Sequence, residues 1–200
     1  MYLGRPHSDA LIPATHALID HESLPGVLSE TEHAAVDHTG FTGVGVLVQQ
    51  KQATTSSLIS TGGSNAFFDD TIPQFSEGTL ILSVSITPKS FSNFLTVEFT
   101  CFAGTNGTGS IAVVHLHRDS IADALAASTA HAGETNASKL FHLRHTLAVP
   151  SLSSQTYQIV MGSTLAAHHF VNGDATGTTT GVRRFGGRAA ATLTVKEVAP

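Results

Sequence analysis

Residues 58–200 predict an all-β fold, a jelly-roll-like antiparallel sandwich, and residues 1–50 predict a short, partly helical segment ahead of it. Three observations carry this. Apolar and polar residues alternate with period two in several segments, as strands with one covered face require. Turn-forming residues recur between those segments. Charged residues make up 12% of the chain against 41% hydrophobic, enough to build a core under a polar but uncharged exterior.

The strand candidates follow in order. Residues 57–61 open the series. Leu80, Leu82, Val84 and Ile86 then alternate with Ile81, Ser83, Ser85 and Thr87. Leu95, Val97, Phe99 and Cys101 alternate with Thr96, Glu98 and Thr100. Further candidates are 111–118, 139–149, 156–163, 168–171 and 190–198. Gly62-Gly63, Pro88, Gly104–Gly109, Asn172-Gly173-Asp174 and Gly186-Gly187 punctuate them. Seven or eight strands at this spacing fit a sandwich. The Ala-, Ser- and Thr-rich stretch Asp119–Ala132 reads as a loop or one helical turn, and polar residues 51–57 read as a linker.

The leading segment contains a repeat. His16-Ala17-Leu18-Ile19-Asp20-His21-Glu22-Ser23-Leu24-Pro25-Gly26-Val27 aligns with His33-Ala34-Ala35-Val36-Asp37-His38-Thr39-Gly40-Phe41-Thr42-Gly43-Val44 at an offset of 17 residues, with six of twelve positions identical. Each unit reads as a short helix ending in a turn: Pro13 suits a first helical turn, Ser29 with Glu32 matches a capping box, and Gly40 suits a helix stop. Helices of about eight residues are marginal alone. The units are therefore expected to pack on another copy or a neighbouring protein.

Composition narrows the function classes. The formal net charge is −5 with no basic run, so nucleic-acid binding is not expected. Cys101, the single cysteine, sits in an apolar run and reads as a buried small side chain. The N-terminus lacks a secretory pattern, and no stretch reaches the ~18 apolar residues of a membrane span. Membrane insertion is not expected either.

The motifs then resemble a known group of proteins. Asp37-His38-Thr39-Gly40-Phe41-Thr42-Gly43-Val44 is similar to the D-H-x-G-x-x-G-V units near the start of phage tail-fibre and virion appendage proteins. The second region resembles the C-terminal heads of such proteins. The matching residues are Phe67-Phe68-Asp69-Asp70-Thr71-Ile72-Pro73-Gln74 with Glu77-Gly78, Ser85-Ile86-Thr87-Pro88, Ser92-Asn93-Phe94-Leu95, Arg118-Asp119-Ser120 and Phe185-Gly186-Gly187. The resemblance implies a trimeric fibre, tail-tip or spike protomer located in the virion, made in the bacterial host cytoplasm, with no cofactor. Residues 1–50 would dock to other virion proteins through His16, Asp20, His21, Leu24, His33, Asp37, His38 and Phe41. A capsid decoration protein and a stand-alone carbohydrate-binding or C1q/TNF-like module are the alternatives.

Candidate chemistry is sparse. His115 and His117 share one face of a strand, so three copies around a trimer axis could hold a metal; ordinary polar side chains are the competing explanation. Asp69 and Asp70 are adjacent and face opposite ways when extended, which does not make the carboxylate pair of a glycosidase. No G-x-S-x-G occurs, and the chain is not expected to be an enzyme. Subunit contacts are expected at Phe67, Phe68, Asp69, Asp70, Arg183, Arg184, Phe185 and Arg188, with the arginines meeting acidic residues such as Glu77 or Asp69 across a boundary, or gripping a host surface glycan.

Overall fold

In the computed structural model the chain divides into Met1–Gly43 and Val44–Pro200. Residues 45–62, 66–131, 138–165, 167–176 and 180–200 are described below. The repeat, and every attachment residue expected between His16 and Phe41, lies outside them.

Eight long strands build the fold: β1 (Val46–Thr55), β3 (Thr79–Ile86), β4 (Phe94–Thr105), β5 (Ile111–Arg118), β6 (Ala126–His131), β7 (Lys139–Ala148), β8 (Gln155–Ser163) and β12 (Ala191–Ala199). Short strands β2 (Ile59–Ser60), β9 (His169–Val171), β10 (Gly173–Ala175) and β11 (Gly181–Arg183) fill in between. One sheet runs β1-β12-β4 with β7 along the far edge of β4, and β9 takes over at Ala103–Thr105. The other runs β3-β8-β5-β6. The long strands pair first with last, β1 with β12, then β3 with β8, β4 with β7 and β5 with β6, all antiparallel. A single long hairpin rolled into two sheets gives this nesting, which is the jelly-roll arrangement the alternation predicts.

Side-chain period two explains the core. Leu95, Val97, Phe99 and Cys101 of β4, Leu193 and Val195 of β12, and Phe141 and Leu143 of β7 face inward from one sheet. Val114 and Leu116 of β5 and Tyr157, Ile159 and Met161 of β8 meet them from the other. Tyr157 keeps its hydroxyl bonded to Gln155 Oε1 at 2.9 Å, so its ring is buried without orphaning the polar end. Burial pushes the Cys101 thiol up to about 12, leaving it an inert packing group.

Three expectations are corrected. The polar run expected to be a linker over 51–57 is the second half of β1 as far as Thr55, hydrogen-bonded to β12 in register from Lys51↔Val195 to Thr55↔Ala191. The Asp119–Ala132 stretch contains β6, and Gly173-Asp174 belong to a strand and not to a turn. β1 and β6 are edge strands without a fully buried residue, so Gln, Thr, Ser and Ala serve where a central strand needs Val or Leu.

Candidate functional site

The two sheets treat their outer faces differently. On the β3-β8-β5-β6 sheet a strap, residues 66–78, crosses the outer side. Ala66 N donates to Ser163 O (2.8 Å), Phe75 N to Ala122 O (2.8 Å), and Ala124 N to Pro73 O (3.0 Å). A one-turn 3-10 helix, Phe75–Glu77, sits in the strap, and Gln74 Nε2 reaches Asp123 Oδ1 at 2.9 Å. Asp69 Oδ1 accepts from Thr71 N (2.9 Å) and Thr71 Oγ1 (2.6 Å), bonds that hold its carboxyl below the ordinary range. Gly162 is required here, because a Cβ would collide with the Glu77 carbonyl oxygen. Under this cover Val113 and Val160, on the outward face, are as buried as the main core.

His115 and His117 are sealed beneath the same strap. Both are fully buried, and Phe75 packs on the His117 ring at 5.3 Å between centroids. His115 Nδ1 and His117 Nε2 lie 2.6 Å apart, one donating to the other. Two nitrogens on one tetrahedral zinc, each about 2.0–2.1 Å from it, stand roughly 3.3 Å apart, so this spacing belongs to a hydrogen bond. The exposure that a metal shared around a trimer axis demands is not present; the pair is internal to one chain. Burial, then the neighbouring His117 charge, pushes His115 down to about 4. Burial likewise lowers His117, opposed by backbone groups at Ile121 and Asp123 and by the Asp123 carboxylate. Among the described residues no three His, Cys, Asp or Glu side chains come together as metal ligands.

The outer face of the β1-β12-β4-β7 sheet has no such strap among the described residues. Its centre is a polar ladder: Thr96 meets Thr146, and Glu98 lies between Lys196 (2.7 Å) and Arg144 (3.5 Å). The Lys196 hydrogen bond is the main cause that holds the Glu98 carboxyl low. At one end the ladder turns apolar. Phe102 pairs with Leu140 across β4 and β7, and Phe185 packs edge-on against Phe102 at 5.6 Å. Leu140 is 75% exposed and Phe185 69%. They border a hollow of about 400 Å³ that Arg188 also lines.

Phe185 stands in the left-handed region at φ 52°, followed by Gly186 and Gly187 at φ 59° and 78°. A bulky side chain there costs about 1–2 kcal/mol. Strain of this kind persists where a side chain is needed in a particular place.

Of the expected contact residues, Phe67, Phe68, Asp69 and Asp70 lie exposed on the strap, and Arg183, Arg184, Phe185 and Arg188 lie exposed beside the other sheet. The structure does not bring the two groups together in one patch. Within the chain Arg184 Nη2 pairs with Asp174 Oδ2 at 3.2 Å, while Asp69 bonds Thr71 and Glu77 Oε2 accepts from Gln74 N. The arginines thus do not meet Glu77 or Asp69 in their own chain. Nothing in the sequence marks an interaction face at Leu140 and Phe102 or a buried carboxylate at Glu197.

Glu197 explains the Ser85–Leu95 motif. Its fully buried carboxylate accepts from Gln49 Nε2 (2.6 Å), Asn93 Nδ2 (2.7 Å), Lys89 N (2.8 Å) and Ser90 N (3.2 Å). It ties the β3–β4 loop to β1 and β12. Burial raises its pKa, but the four donors together overcome that and leave it below the ordinary range.

No known family matches the chain, and no curated protein matches it. Among solved structures, a chain of the infectious bursal disease virus particle covers 76% of this chain with 14% identity and a TM-score of 0.33. A chain from the Gx strain of that virus covers 76% with 12% identity and a TM-score of 0.32. The matched regions are 36% and 39% of those viral chains, so this protein spans little more than a third of their length.

Proposed function

We propose that this chain is a non-enzymatic structural protomer of a phage-type virion, a fibre, tail-tip or head-spike component. Residues 1–43 dock to other virion proteins, since Val46–Gln50 belong to β1 of the head, and the jelly-roll head assembles as a homotrimer that presents its loops to the host surface. The observation that carries the reading is Phe185, held outward at an unfavourable backbone angle beside Leu140 on a face that the described residues leave uncovered. Contiguous exposed apolar side chains of this kind mark contact sites. The Phe185 corner lies on the open sheet, away from the strap, so copies that meet through this corner leave the strap side free. The resemblance of the repeat and of the head motifs to fibre and appendage proteins supplies the virion setting.

The docking part is tested by deleting residues 1–43 and assaying purified particles for the protein. The expected outcome is a soluble head absent from particles. Incorporation of the truncated protein at the level of the full chain would contradict it.

A further inference from the structure

A cleft of about 500 Å³ opens between the strap and the β5–β6 loop, within the size range of small-molecule sites. Phe75 and Ser76 line it from the strap, Asp119 and Ser120 from the loop, and Gln158 from β8. We propose that this cleft binds a neutral sugar ring, packed on Phe75 and hydrogen-bonded by Asp119, Ser120 and Gln158.

The lining decides the ligand class. Asp119 is its single ionisable side chain, and no cation lines the cleft. Phosphates, sialic acids and uronic acids would meet the Asp119 carboxylate with no cation in the lining to receive them. Arg118 stands 3.9 Å from Asp119 Oδ2 but does not line the cleft. A neutral sugar suits the mixture, since its C–H face covers an aromatic ring while its hydroxyls donate to carboxylate and amide oxygens.

The site is also built in advance of any ligand. Asp119 is held at φ 55° by two bonds to one residue: its N–H donates to Thr156 O (2.8 Å), and its Oδ1 accepts from Thr156 N (2.7 Å). Only the long Arg118 contact is left to Oδ2. Gln158 lines the cleft and its Oε1 has no hydrogen-bond partner among the described residues, so a turn of the side chain toward the cleft offers a free acceptor to a sugar hydroxyl. Phe75 is fixed by its edge contact with His117 and by Phe75 N bonding Ala122 O. An aromatic platform, a locked acceptor and an unsatisfied acceptor thus converge. Single sugars bound this way are held weakly, and three copies on one particle would raise the avidity.

The inference rests on the proposed role at a host surface for its setting, and its test separates the two. Full-length protein is titrated with glucose, galactose, N-acetylglucosamine and lactose, and with sialyllactose and inorganic phosphate, by saturation-transfer NMR and calorimetry. At least one neutral sugar is expected to bind saturably. Asp119→Asn, which keeps the Thr156 bonds, and Ser120→Ala are each expected to weaken it about tenfold, equal to ~1.4 kcal/mol, with the unfolding midpoint unchanged. Failure of every neutral sugar, preference for sialyllactose or phosphate, or unchanged affinity in both variants overturns the site. Those failures in a protein still found in particles leave the virion role standing. Sugar binding by a protein absent from particles overturns the virion role and leaves the cleft.

Discussion

The outer faces of the two sheets are made from the same kind of strand yet carry opposite finishes. On the β3-β8-β5-β6 sheet the chain covers itself: the strap buries Val113, His115, His117 and Val160 on the side that faces away from the main core. On the β1-β12-β4-β7 sheet the described residues leave Thr, Gln and paired charges in the open, ending in Leu140, Phe102 and Phe185. The lesson is where contacts can form. A face already closed by its own chain offers its loops and its cleft, whereas an open face with an apolar end offers area.

The largest expected effect breaks the covered face. In Gly162→Val the added side chain meets the Glu77 carbonyl oxygen, a backbone atom that cannot rotate away, so the strap must lift. Overpacking of this kind costs about 1–3 kcal/mol, and exposure of Val113 and Val160 adds to it; thermal unfolding should show the loss. Hydrogen exchange should rise at Ala66, Phe75 and Ala124, whose amides anchor the strap and its neighbouring loop.

Acid should act on both sheets, through His115 under the strap and through His169 of β9 in the other sheet. His115 and His169 are both pushed down to about 4, chiefly by burial, so the folded state refuses protons that the unfolded chain accepts below about 6.5. The folded pKa lies below the unfolded one. Stability is therefore full above pH 6.5 and falls as pH drops toward 4, by at most about 1.4 kcal/mol per pH unit for each group. Glu197, also depressed, adds its loss below its unfolded value of 4.5. Unfolding midpoints from pH 7.5 to 4 test the slope, and His115→Leu with His117→Leu should reduce it above pH 4.5 while leaving the share of His169. A slope unchanged in that double variant would show that the buried pair is not its source.

Phe185→Gly should separate the open face's shape from its stability. Glycine relieves the left-handed backbone, so the fold should hold or gain up to about 1 kcal/mol, while self-association falls. A variant that loses stability and keeps association would contradict the role given to Phe185. The smallest effect belongs to the polar ladder. Lys196→Ala removes a 2.7 Å pair on that face and should change stability by under about 1 kcal/mol, less at high salt.

Much of the fold was legible because central strands carry a strong signal. The Leu95–Cys101 alternation marks β4, buried on one face and polar on the other. The edge strands were not legible: Val46–Thr55 reads as a polar linker and Ala126–His131 as a loop, since each has only one neighbour and little to bury. The covered face leaves a trace in the sequence. Ile111–Leu116 is apolar on both faces but for His115, a pattern of strands covered from both sides, and something had to lie over the outer one. The strap residues Phe67–Gln74 stand out as a motif, but their partner does not, because pairing across the β5–β6 loop depends on tertiary contact. The His115–His117 pair shows the same limit. Period two places the rings on one face, yet cannot tell a shared metal from a shared proton.

The central claim is that the open face joins copies of this chain. Light scattering of the full-length protein after size exclusion tests it most directly. The account predicts a mass near three times 20.8 kDa for the native sequence and a shift toward 20.8 kDa for Leu140→Asp with Phe185→Gly. A native protein that stays at 20.8 kDa across concentration, or a trimer untouched by that double substitution, would contradict it.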